Sequence, residues 1–177
     1  MRDGTIFYNS IYDFKFARLD IKNLISSELD AEKWIDFLFT DPRFIQARLY
    51  DGKYDEWENM ECLLSFQVAG RDYKSLPRKS NGLPFPVEEE IVDISNNPGR
   101  WSLKKGYVES LGSTMWLGEQ FWENSGTSKE KVLTCDWLQI EEIGSVIKLR
   151  VQQSPFISSD GKEGELQNKL RELLYTH

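Results

Sequence analysis

The chain has 177 residues, with 22 Lys plus Arg against 29 Asp plus Glu, a net charge of −7, and 40% hydrophobic and 13% aromatic residues. That length suits one domain with a core that needs no staples, and so much apolar and aromatic area excludes a disordered tail. Twelve Gly, six Pro and two Cys exclude collagen-like and disulfide-scaffold chains, and the acidic balance disfavours non-specific contact with nucleic-acid phosphates.

The chain begins Met1-Arg2-Asp3-Gly4-Thr5-Ile6-Phe7-Tyr8, without the apolar stretch of a secretion signal. No apolar run approaches the roughly 20 residues that span a bilayer. A cytoplasmic protein without a membrane partner is expected. Cys62 and Cys135 fall in apolar contexts and read as two buried free thiols.

Residues 6–25 alternate weakly, which predicts a first strand with a break near Ala17. Ala31, Trp34, Ile35 and Leu38 then recur at helical spacing, with Asp30 as a cap and Asp41-Pro42 as the stop. Phe44 to Tyr50 reads as a strand, Asp51-Gly52 as a tight turn and Met60 to Ala69 as a second strand. From Gly70 to Gly99, Pro77, Pro84, Pro86, Pro98 and Ser80-Asn81-Gly82 predict a long loop with one short strand near Val87 to Ile94. Tyr107, Val108, Leu111, Met115 and Trp122 suggest a helix, weakened by Gly112 and Gly118, running from Ser113 to Trp122 and ending at Asn124-Ser125-Gly126. Lys131 to Ile140 and Val146 to Gln152 read as a hairpin, and Leu166, Leu170, Leu173 and Leu174 as the inner face of a last helix. The expected fold is a single α+β domain over residues 1–177. A mostly antiparallel sheet is packed by two or three helices in the order β-α-β-β-loop-α-β-β-α.

The inventory of reactive side chains excludes more than it suggests. The only histidine is His177, the last residue, and chain ends are poorly positioned for catalysis. Ser-His-Asp and Cys-His devices need an imidazole held beside the nucleophile. Two distant cysteines and one terminal histidine do not make a usual zinc set, so neither a metal nor a cofactor is expected. Gly-x-Gly-x-x-Gly and Gly-x4-Gly-Lys phosphate loops are missing. The Asp51–Asp55 and Asp160–Gly164 segments put Lys53 and Lys162 where a calcium loop needs a ligand. Ser-x-x-Lys occurs at Ser102/Lys105, Ser128/Lys131 and Ser145/Lys148, three hits that show how little the pattern demands, and its companion motifs are missing. What survives as chemistry is a carboxylate-dependent enzyme or small-molecule binder, its pocket near 107–123 and lined by Trp116 or Trp122.

The alternative is binding. Asp51, Asp55, Glu56, Glu58 and Glu61 interleave with Tyr54, Trp57 and Met60, an acidic stretch with aromatic anchors of the kind that dominate interfaces. Glu88-Glu89-Glu90 forms a second acidic element after the Pro-rich loop. Arg71, Lys74, Arg78 and Lys79 are the one basic island, and Tyr73 alone is too little for a nucleic-acid stacking platform. Arg100, beside Trp101, is a candidate for holding a carboxylate or phosphate. A chain of charge −7 attracts basic proteins and speeds their encounter. Through segments such as Asp55-Glu56-Trp57-Glu58 and Met115-Trp116-Leu117-Gly118, the chain resembles the small cytoplasmic immunity proteins of bacterial toxin systems. That resemblance implies a non-catalytic inhibitor that plugs a toxin's active site, a basic nuclease toxin being a natural match. A self-associating structural subunit is the third expectation.

Overall fold

A computed structural model describes residues 5–11, 16–22 and 28–175, with side chains from Glu32 onward. Its centre is a four-stranded antiparallel sheet in the order β3-β8-β10-β9. These strands are Gln46–Leu49 (β3), Thr114–Leu117 (β8), Gln139–Ile143 (β9) and Val146–Arg150 (β10). Ile147 pairs with Leu117 and Leu149 with Met115, so these four side chains share one face. Helices Glu119–Ser125 (α4), Lys129–Leu133 (α5) and Gly161–Tyr175 (α6) cover that face with Phe121, Trp122, Val132, Leu170, Leu173 and Leu174. Trp116 and Val146 point to the other face, where Phe39, Ile35 and Phe44 close over them. Ile35 ends Glu28–Ile35 (α1), and a 3-10 turn over Asp36–Leu38 leads to Phe39. The fold is α+β with antiparallel pairing, as expected.

Several local expectations fail for identifiable reasons. The strand expected over 6–25 is an antiparallel hairpin of Thr5–Ile11 (β1) and Phe16–Lys22 (β2), and Ala17 is paired with Ser10 inside it. Asp30 lies within α1 rather than capping it. Asp51-Gly52 starts a helix, Gly52–Glu58 (α2), because the Asp51 carboxylate accepts the Tyr54 amide at 2.8 Å. The strand expected at Met60 to Ala69 is a short helix, Leu63–Val68 (α3). Gly70, at φ 65°, closes it as the left-handed residue of a Schellman motif, with Gly70 N donating to Gln67 O and Arg71 N to Phe66 O.

The helix expected from Ser113 is strand β8 up to Leu117. All four of its residues are buried because both faces of the sheet are covered, which erases the alternation that signals a strand. Gly118 then lets the chain press against the Phe44 carbonyl before α4 begins. Lys131 to Leu133 belong to α5, capped by Ser128, so one of the Ser-x-x-Lys hits is a helix cap.

The 70–99 segment holds the short strand expected near Val87 to Ile94, as Glu90–Val92 (β5), but it also holds Arg78–Ser80 (β4), and the two form a hairpin where a long loop was expected. Ser102–Lys104 (β6) and Tyr107–Glu109 (β7) form another. Cys135 is half-buried against the core, but Cys62 is exposed at the start of α3, which corrects the expectation of two buried thiols; both are free. His177 lies outside the described residues.

Candidate functional site

Of the five acids in the 51–61 segment, two turn inward, Asp55 and Glu58, rather than joining an exposed acidic patch. Asp51 is spent as the α2 cap. One turn on, the Asp55 carboxylate meets the Arg48 guanidinium of β3 at 2.7 Å, the two side chains only 13% and 11% exposed. Arg48 also donates to Leu111 O at 2.9 Å and lies over the Tyr50 ring. Glu58 is 7% exposed and accepts the Gly99 amide at 2.8 Å. Burial pushes the Glu58 carboxyl above its usual value, against the opposing pull of the Gly99 amide and of the nearby Ser159 and Tyr54 hydroxyls. Tyr54, its own ionisation suppressed by burial, donates to Gln167 Oε1 of α6 at 3.0 Å.

Around this layer the 97–101 turn is buttoned down. Asn97 donates to Glu58 O, Asn59 Oδ1 accepts the Trp101 amide at 2.7 Å, and Arg171 of α6 donates to the carbonyls of Pro98 and Arg100. Burial, aided by Arg100, lowers the Arg171 guanidinium to about 10. Arg100 donates to Asn97 O, within its own turn. Trp57 is half-buried, edge-on to Phe66 at 5.1 Å and under the Arg71 guanidinium at 4.3 Å. Glu61 pairs with Lys79 at 2.9 Å. Asp55, Trp57 and Glu58 are therefore not exposed together, and Glu56 is the one fully exposed acid of the stretch. This polar layer joins β3, α2 and α6, and its geometry is that of a structural lock.

The second acidic element stands differently. Glu88, Glu89 and Glu90 are all exposed on the approach to β5. Glu90 pairs with Arg78 across the hairpin at 2.6 Å, and Glu88 accepts a weak bond from the Ser80 hydroxyl at 3.4 Å. Glu89 makes no ion pair among the described residues. Before them comes the hairpin tip, Leu83-Pro84-Phe85-Pro86-Val87, with Leu83 and Val87 exposed and Phe85 88% exposed. The tip is held in shape. Asn81 donates to Val87 O and accepts from the Leu83 amide, and Val87 N donates to Pro84 O, each near 3.0 Å. An aromatic ring presented to water on an ordered turn is what interface anchors look like. The sequence carried a signal for it. Two prolines within five apolar residues cannot extend a ladder, so the run has no sheet to bury it.

The basic island is partly consumed at home: Arg78 by Glu90 and the Tyr73 ring, Lys79 by Glu61 and Asp93. Trp116 and Trp122 are core residues, and the segment expected to form a pocket helix is hairpin, strand and α4. A cleft of about 130 Å³ lies between Asp41, Phe44, Gly118, Glu119 and Val146, and a void of about 10 Å³ beside Arg48, Tyr54 and Gln167. Both fall short of the roughly 300 Å³ at which small-molecule pockets begin, and neither Trp lines them. Among the described residues no three His, Cys, Asp or Glu side chains converge as metal ligands, and no helix is long and apolar enough to cross a membrane. No protein-family model, no curated protein and no solved structure matches this chain.

Proposed function

We propose that the protein is a non-catalytic protein-binding module that takes a basic partner, in the manner of the toxin-inhibiting immunity proteins its sequence resembles. The β4–β5 hairpin is its contact element. The observation that carries this reading is the exposed, hydrogen-bonded tip around Phe85, set beside the exposed carboxylates of Glu88 and Glu89 on a chain of net charge −7. Phe85 supplies an aromatic anchor, and the carboxylates draw in cationic surface and fix its register. Glu56 adds to the field, whereas Asp51, Asp55 and Glu58 serve the fold that holds the hairpin. The free thiols of Cys62 and Cys135 suit a reducing compartment such as the cytoplasm.

The test uses the purified product of the adjacent reading frame as the candidate partner, with binding followed by interferometry. Phe85→Ala is expected to weaken the complex about thirtyfold, the loss of one aromatic anchor. Reversing Glu88 and Glu89 to Lys, or raising the salt, is expected to slow association. Binding that ignores both substitutions rules out the hairpin as the contact element. A neighbour that is acidic and does not bind removes the case for a cognate toxin.

A further inference from the structure

α3 and the hairpin tip carry surfaces of matching chemistry. α3 shows solvent two apolar side chains one helical turn apart, Leu64 and Val68, the second 82% exposed. The segment after it carries two exposed cations, Arg71 and Lys74, against one exposed carboxylate, Asp72, which accepts from the Lys74 amide and the Ser75 hydroxyl. Arg71 is steadied over the Trp57 ring without being neutralised, and Lys74 has no ion pair among the described residues. The tip offers the complement: exposed Leu83, Phe85 and Val87, followed by the carboxylates of Glu88 and Glu89. One patch is apolar with a basic border, the other apolar with an acidic border.

A chain does not satisfy its own pair, because both patches are open to water. The hairpin is seated at its base, where Val92 N donates to Glu61 O at 3.0 Å just before α3, and Phe85 lies at the opposite end. A two-fold axis between tip and helix lets two chains exchange what each lacks, which is how isologous dimers are built. Contiguous exposed apolar residues with a charged border mark such surfaces.

From this complementarity we infer that the free protein is a reciprocal dimer, in which the Leu83–Val87 tip of each chain lies on the Leu64/Val68 face of the other. Glu88 and Glu89 of one chain face Arg71 and Lys74 of its mate. This goes beyond the proposed binding function, since the dimer keeps the tip covered until a partner takes its place. It also fails separately, because a monomer that still binds its partner through Phe85 refutes the dimer alone.

Sedimentation equilibrium of the full-length protein over the micromolar range is the test. The expected result is a mass approaching twice the 20.7 kDa of the chain. Phe85→Asp and Val68→Asp, both at exposed positions, are each expected to return the monomer mass with an unchanged near-ultraviolet circular dichroism spectrum. The double reversals Glu88→Lys with Glu89→Lys, and Arg71→Glu with Lys74→Glu, are each expected to weaken the dimer. Mixing these two proteins is expected to restore it, because both contacts of the mixed dimer are again oppositely charged. A monomer at every concentration overturns the inference. So does a dimer indifferent to Phe85→Asp and Val68→Asp, or charge-reversed proteins that do not recover on mixing.

Discussion

The Glu58 carboxylate accepts the Gly99 amide at 2.8 Å, and no other acid in the 51–61 segment is buried so deeply. Through this bond α2 holds the 97–101 turn, which Arg171 grips from α6. Burial keeps the Glu58 carboxyl above its ordinary value of 4.5. The native protein thus binds this proton more tightly than the unfolded chain does. The stabilisation from that proton is complete below 4.5 and is lost as pH rises through the native value. Glu58→Gln keeps an acceptor for Gly99 and has no charge to bury. Urea unfolding is expected to show the variant gaining on the wild type between pH 4.5 and neutrality. The same difference at both pH values would refute this.

Gly99 permits no side chain. A Cβ there sits 2.7 Å from Glu58 Cγ and 3.1 Å from Tyr54 Cε1, and both neighbours are held by hydrogen bonds. Gly99→Ala is expected to cost about 1–3 kcal/mol, as overpacking of a filled site does. In a Glu58→Ala background the cost should shrink, since the two changes share one space. Equal costs in both backgrounds would show that the strain lies elsewhere.

Asp55 and Arg48 form a pair with little access to water. Removing one partner of such a pair strands the other charge, and Asp55→Ala is expected to cost about 3 kcal/mol. Arg48→Met combined with Asp55→Leu should cost less than the single change, because neither charge is then stranded. Tryptophan-monitored denaturation of the three proteins reads this out, and a double variant weaker than Asp55→Ala would reverse the argument.

Glu32 of α1 reaches Lys148 on β10 and accepts the Trp116 indole N–H at 3.3 Å. Lys148 is 5% exposed, and a second carboxylate beside it, Glu141 at 3.3 Å, is itself largely in water. Glu32→Ala is expected to lower stability by about 2 kcal/mol, because it removes at once a carboxylate of the buried Lys148 and the acceptor of the Trp116 indole N–H. Glu141→Ala, at the exposed end of the same cation, should change it by less than about 0.5 kcal/mol. Thermal unfolding compares the two, and equal losses would place the weight of the pair on the surface.

The class of fold was legible because apolar periodicity survives where one face of an element meets water. α6 shows it, with Leu170, Leu173 and Leu174 inward as their spacing predicted. So does the α1 segment, whose spacing located the helix up to the stop at Asp41-Pro42. Where an element is wrapped on every side the period vanishes, and Thr114–Leu117, buried throughout, passed for part of a helix. Short helices were lost for another reason. α2, α3 and α5 have seven residues or fewer, too few to establish a period, and are set by the caps at Asp51 and Ser128 and the glycine at position 70.

By itself the sequence determined composition, charge and the antiparallel α+β class, because these follow from counts and from periodicity along the chain. Only the tertiary structure decided which acids meet water. Asp55 and Glu58 share a stretch with Glu56, yet Arg48 and Gly99, distant in sequence, draw the first two inward while Glu56 stays out. A carboxylate's surroundings depend on what the fold brings beside it. The two prolines that keep Leu83–Val87 out of a ladder were written in the sequence, but the exposure of Phe85 was decided by the fold, in which no element among the described residues packs over that tip.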